Sequence, residues 1–245
     1  MARLGRSTAI RCLIFGVLVF TATSWAQSRP PILEEIVKTF GLDSYGQVEA
    51  IRYTWNGEVT GLFQASHGWE WEPKTGKVTY EGKDKDGKPV KVTYVRAELN
   101  KQPDAVKNEV EPSFVNDNYW LLFPFHAYWD TSANVTEKDK QPLPLGKGTA
   151  KLVSVKYPQE VGGYTPGDTW DLYLGAEGRI VAFVYHRGGP KKPSNVTTTW
   201  AGYKKAGPLL VSTDHRGTAD GKPARIFFSN VAVKLAGSDK WLDAQ

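Results

Sequence analysis

The chain has 245 residues, with 31 Lys+Arg against 26 Asp+Glu, nine Trp, one Met and one Cys. Residues 1–26 hold Arg3, Arg6 and Arg11 and no acid, then an apolar run over 12–20 and the small-residue exit Ser24-Trp25-Ala26, the three-part pattern of a secretory signal peptide. Cleavage after Ala26 takes away three arginines, the only Met and the only Cys, so the formal charge falls from +5 to +2; a disulfide framework, a thiol nucleophile, a Cys-ligated metal centre and a basic nucleic-acid surface are excluded together.

The apolar run is too short to span a bilayer, which takes roughly 20 apolar residues. The expectation is an exported protein, periplasmic or secreted, with one β-rich domain over residues 27–245. It opens with a helix over 31–40, because Ile32, Leu33, Ile36, Val37 and Phe40 share one face and Gly41 follows as a C-cap. Strand-like text begins at Val48, with Ile51, Tyr53 and Trp55 alternating against Arg52 and Thr54. Asn56-Gly57 signals a hairpin turn into a return strand over 59–65. Further strands are expected over 67–72, 77–81 and 90–96, joined by Pro73-Lys74-Thr75-Gly76 and the Lys83–Gly87 turn.

The middle changes character. Residues 98–111 are polar and read as a surface loop or short helix. Residues 114–129 hold nine large apolar or aromatic side chains and predict a helix up to Phe123, broken by Pro124. Residues 134–148 read as a polar loop punctuated by Pro and Gly. Strands resume over 150–157, and a Gly-rich loop covers 158–167. The clearest hairpin joins 169–174 to 179–186 through Gly175-Ala176-Glu177-Gly178. Strands over 197–203, 209–213 and 225–235 complete a set of ten or eleven.

Several strands are apolar on both faces. Ile180, Ala182 and Val184 oppose Val181, Phe183 and Tyr185, and a strand of that kind must cover both sides. A strongly curved sheet wrapped around an apolar interior satisfies this. Periodicity leaves open whether that interior is a filled core or a ligand cavity.

The order of elements, the hairpin Thr169-Trp170-Asp171-Leu172-Tyr173-Leu174 to Gly178-Arg179-Ile180-Val181, and the tail Tyr203-Lys204-Lys205-Ala206-Gly207 running into Ile226-Phe227-Phe228-Ser229-Asn230-Val231-Ala232-Val233 resemble the LolA/LolB-like lipoprotein-carrier superfamily. That resemblance implies a half-open, strongly curved antiparallel sheet with helices plugging its open side. It also implies non-enzymatic binding of acyl chains between sheet and helices. The chain departs from the carriers in its polar segment over 134–148 and its unusually aromatic middle. The carriers' functional positions have no one-to-one match here.

The residues expected to line a binding surface are Trp55, Phe63, Trp71, Trp120, Phe123, Trp129, Leu172, Phe183 and Trp200. Their partners would be a hydrophobic small molecule or a lipoprotein, with an envelope protein or a membrane surface as further possibilities. No cofactor, metal or catalytic group is expected. His67, His126, His186 and His215 lie in no metal-ligand spacing, and no Gly-x-Ser-x-Gly elbow is present. The alternative is a carbohydrate-binding or glycan-cleaving protein: Glu70 and Glu72 share a strand face beside Trp69 and Trp71, and Asp168 and Asp171 flank Trp170. That reading needs two or more of the histidines near carboxylates in one cleft.

Overall fold

A computed structural model describes residues 29–84, 86–160, 166–189, 192 and 194–245. The expected signal peptide, half of the Gly-rich loop (residues 161–165) and Lys191 lie outside the described residues. The chain forms one mainly antiparallel sheet of thirteen strands, strongly curved and not closed, with helices against its inner face.

Helix α1 (Pro31–Thr39) buries Ile32, Leu33, Ile36 and Val37, as its 3.6-residue spacing predicts. Pro31 starts it where a missing N–H costs nothing. Gly41, at φ +102°, then leads into the single turn α2 (Leu42–Tyr45). A Cβ at Gly41 would lie 2.4 Å from the carbonyl oxygen of Pro208, so glycine is required there on two counts. The meander follows as β1 (Val48–Val59), β2 (Phe63–Glu72), β3 (Lys77–Lys83) and β4 (Pro89–Val95). A 3₁₀ turn (Arg96–Lys101) and a π-turn (Val106–Val110) lead into α3 (Glu111–Trp129). The second half holds β5 (Asn134–Pro142), β6 (Thr149–Lys156), β7 (Thr169–Leu174), β8 (Ile180–Arg187), β9 (Ser194–Thr199), β10 (Ala201–Ala206), β11 (Leu209–Ala219), β12 (Lys222–Leu235) and β13 (Trp241–Asp243).

The strand order is β4-β3-β2-β1-β12-β11-β9-β8-β7-β6-β5, with β4 and β5 at its two ends. The long strands β11 and β12 also pair with β10 and β13 respectively.

Three expectations need correction. Asn56-Gly57 is no turn: β1 runs through it to Val59, and the hairpin turns at Gly61, φ +72°. Gly57 serves packing instead, because a Cβ there would sit 2.2 Å from the Trp55 ring lying over it. Helix α3 does not end at Phe123. It kinks at Leu122 (φ −117°, ψ 22°) and continues to Trp129. Pro124 falls in the first turn after that kink, where its missing N–H breaks no helical bond. Residues 134–142, expected as loop, form the edge strand β5, paired with β6. An edge strand exposed on both sides carries no alternation, so its charges masked it. The expected strands over 59–65 and 67–72 are the single strand β2; with that merger, β5 and β13 added and the 197–203 stretch divided between β9 and β10, the count is thirteen among the described residues. No described helix is long and apolar enough to cross a membrane.

Candidate binding site on the concave face

Directly opposed residues of an antiparallel ladder point to the same face. The register therefore traces rows across the inner surface. One row runs Phe63, Val59, Ala224, Gly217, Thr198, Phe183, Leu172 and Val153 through eight strands. A neighbouring row runs Ala65, Gly57, Ile226 and His215, and a third holds His67, Trp55 and Phe228. The concave face is apolar over most of this area, with the small residues Ala65, Gly57, Ala224 and Gly217 near its centre rows.

Helix α3 lies against the lower part of this surface. Its apolar residues point in every direction: Phe114 meets Trp69 and Trp71 at 5.4 and 5.9 Å, Trp120 meets Trp170 and Phe183 at 5.7 and 5.2 Å, and Phe123 stacks on Trp170 at 4.3 Å. The aromatic contacts continue along the sheet through Trp200 to His215 (4.3 Å) and from there to Phe228 (5.9 Å). Above α3 the lining is only partly covered. Ala65, Ile226, Val196 and Tyr185 are half-buried, and Phe63 is 50% exposed at the rim.

Of the nine expected site residues, Trp55, Trp71, Trp120, Phe123, Leu172, Phe183 and Trp200 are buried together between sheet and helix. Trp129 is half-buried against Tyr45 and Phe125, at the far end of α3. Phe63 stands apart at the rim.

The helix is fastened by side chains the sequence reading passed over. Asn116-Asp117-Asn118 interrupts the apolar run of α3, and that interruption was the available signal. Asp117 is almost fully buried, and its Oδ2 accepts hydrogen bonds from His67 Nδ1 (2.7 Å) and Trp69 Nε1 (2.9 Å). Asn116 donates to its other oxygen at 3.0 Å. Burial raises the Asp117 pKa, and the bonds from His67, Asn116 and Trp69 work against that rise. Asn118 donates to the Tyr53 hydroxyl at 3.3 Å and accepts from His126 Nε2 at 2.7 Å. At the start of α3, buried Glu111 accepts from Tyr94 (2.6 Å) and from Arg96 Nε and Nη2 (2.9 and 2.8 Å). Replacing Asp117 with Ala is expected to cost about 2–3 kcal/mol, because two buried N–H donors lose their acceptor. Urea denaturation measures it. Pairing Asp117→Leu with His67→Phe should recover part of the loss, and additive losses would deny the coupling.

Three of the four carboxylates of the alternative reading are held by structural partners, and Glu70 lies on an outer groove. Glu72 pairs with Lys77 and Thr75, Asp168 accepts from Tyr185 and the Gly188 N–H, and Asp171 accepts from His186. His67 and His186 both meet carboxylates, but from opposite faces of the sheet. His186 borders a shallow outer groove of about 260 Å³ with Thr136, Ser154 and Asp171. A second outer groove, about 290 Å³, is lined by Arg52, Glu70, Glu81 and Lys91. Among the described residues no group of three or more His, Cys, Asp or Glu could hold a metal.

No family model matches the chain, and no curated protein matches it in sequence. Among solved structures it is similar to a LolA superfamily protein from Nitrosomonas europaea, at 7% identity and a TM-score of 0.43, over 82% of this chain and 91% of that one. It is also similar to the lipoprotein LppX of Mycobacterium tuberculosis, at 10% identity and a TM-score of 0.29, over 88% and 100% of the two chains. At such distances the likeness concerns the course of the chain alone.

Proposed function

We propose that this protein binds a hydrophobic or amphipathic molecule, of the lipid or lipoprotein acyl class, between the concave face and α3, and carries it outside the cytoplasm without covalent chemistry. The observation that carries the reading is that the apolar lining continues past the helix that covers it. Phe63, Ala65, Ile226, Val196 and Tyr185 extend the buried aromatic surface to the rim as a half-exposed strip. An isolated core would stop at its cover, and a contiguous exposed apolar strip marks a binding surface. The resemblance in element order points the same way.

About ten buried methylenes at about 0.8 kcal/mol each would bring affinity into the micromolar range before ordering costs. Eight tryptophans remain after residue 26, so a brominated acyl chain in the site must quench fluorescence. Titration of delipidated protein with 9,10-dibromostearic acid is expected to give saturable quenching, and mass spectrometry of protein from the native host to show co-purifying lipid. Absence of both would overturn the reading. Saturable binding of an oligosaccharide in place of the acyl chain would favour the alternative.

A further inference from the structure

Most outer edges of the sheet are guarded. Strand β4 carries Pro89 and Lys91, and β5 carries Glu137, Lys138, Asp139, Lys140 and Pro142, with a bulge between Lys138 and Gln141. Charges, prolines and bulges of this kind stop an edge from pairing with another chain. Strand β10 is closed off by the chain end, through the paired backbone bonds of Lys205 and Gln245. The upper part of β2 has no such guard. Strand β3 pairs with β2 only from Gly68 to Glu72, although it stays paired with β4 up to Lys83. Above Gly68 the hairpin of β3 and β4 therefore leaves β2, and Leu62-Phe63-Gln64-Ala65-Ser66-His67 forms an edge without Lys, Arg, Asp, Glu or Pro.

The ladder fixes what this edge offers. The Thr60 N–H bonds the Pro223 carbonyl beside β12, and the Leu62 N–H bonds the Val59 carbonyl. Residues 55, 57 and 59 of β1 therefore turn their backbone to β2, and their opposites His67, Ala65 and Phe63 are bonded to them. Gln64 and Ser66 are left with N–H and C=O pointing outward, and no described residue bonds these four groups. Leu62 and Phe63 stand at the tip, 63% and 50% exposed, two of the three large apolar side chains that are exposed among the described residues. The edge is complementary to itself. Two copies paired antiparallel about Ala65 set Gln64 opposite Ser66 twice over, so all four groups of each copy find partners. Phe63 then lies opposite His67 of the other copy on the concave side, and no like charges meet.

We propose that the upper edge of β2 is an interface between two copies of this chain, joined strand to strand about Ala65. The backbone decides the class of partner, because alternating outward N–H and C=O groups are matched by another extended strand. The absence of charge and the pairing of each side chain with a compatible one decide for a second copy. Pairing covers Phe63, sets Leu62 opposite Gly68 of the other copy, and runs the concave rows of the two copies into each other. The contact is small, so association is weak, with a Kd of about 10–100 µM. The interface does not depend on the binding reading above.

The test is sedimentation equilibrium of the exported protein from about 1 to 300 µM, in the wild type, Gln64→Pro and the double variant Gln64→Lys/Ser66→Lys. Gln64→Pro removes an N–H that the bonds to β1 do not use, so the strand itself keeps its ladder. It deletes two of the four bonds between copies and is expected to weaken association about tenfold or more. The double variant sets lysines directly opposite each other and is expected to stay monomeric. Gln64 and Ser66 are both exposed, so the lysine variant decides should Gln64→Pro fail to fold. Residues after 26 hold no Cys, so Ala65→Cys supplies one thiol that faces its own copy across a pair about 4.5 Å apart at Cα. Mild oxidation is expected to link it about tenfold faster than Val181→Cys, an exposed position on β8. A wild type that stays monomeric to about 300 µM, a lysine variant that associates as the wild type does, or equal cross-linking at 65 and 181 would overturn the interface. In the first case the edge is left to a strand of another protein. Acyl binding is read separately by quenching, so none of these results touches the binding reading.

Discussion

Trp120→Ala is expected to lower the unfolding free energy by about 3–5 kcal/mol, the range for emptying a buried aromatic site. Trp120 is 5% exposed and bridges helix and sheet: it touches Trp170, Phe183, Tyr185 and His215 with ring separations of 5.2 to 6.3 Å. Its removal strips α3 of its central anchor and leaves an apolar hollow against the concave face. Such hollows stay dry and take up apolar molecules. Stability should therefore fall while binding of dibromostearic acid is kept or tightened. Urea denaturation and quenching titration measure the two quantities on one sample. Loss of both together would mean that Trp120 only holds the fold, and that no ligand shares its space.

The second large effect is with pH. Burial pushes His215 from the ordinary 6.5 down to about 4, against the pull of the Thr199 and Ser212 carbonyls and of Asp214. A histidine with a depressed folded pKa contributes stability that is present above its unfolded pKa and lost as pH falls. Between pH 6.5 and about 4 the unfolded chain takes up a proton that the folded chain refuses. Stability should fall by about 1.4 kcal/mol per pH unit, about 3 kcal/mol in all. His126 is pushed down to about 3, by burial first and by Arg96 second, so its contribution to stability is lost with falling pH in the same sense and adds to the slope. Asp117, raised by its burial, acts in the opposite sense. Glu72, lowered chiefly by Lys77, adds its loss only near and below its ordinary value of 4.5. Urea midpoints from pH 7.5 to 4.5 would show the slope, and His215→Phe should remove its share and leave that of His126. An unchanged slope in that variant would place the proton uptake elsewhere.

What could be read from residues alone depended on how each element meets solvent. Helix α1 was legible because one of its faces meets the core and the other meets water, so its spacing carries the signal. The hairpin of β7 and β8 was legible from the alternation of β7 and the plain turn after it, although β8 itself is apolar on both faces. Helix α3 was legible as aromatic but not in its extent: buried on all sides, it has no polar stripe to mark its course, and Pro124 looked like a stop. The edge strand β5 was hidden by the opposite condition, since both faces are wet and nothing alternates. The expected site residues were chosen by size and apolarity. That criterion reached seven side chains that are buried in one core. It passed over Asp117, to which the folded sheet brings His67 and Trp69.

The sequence by itself determined that this is a β-rich chain whose residues after 26 lack Cys and Met and whose stability must come from aromatic burial, because composition and alternation follow from what each residue can bury. Only the tertiary structure decided which aromatics share one concave surface, how far α3 covers it, and where polar groups are left unpaired. Register is the physical reason. Strands distant in the chain, such as β2 and β8, are placed on one curved sheet by hydrogen-bond pairing. A one-residue slip in any ladder would turn its side chains to the other face.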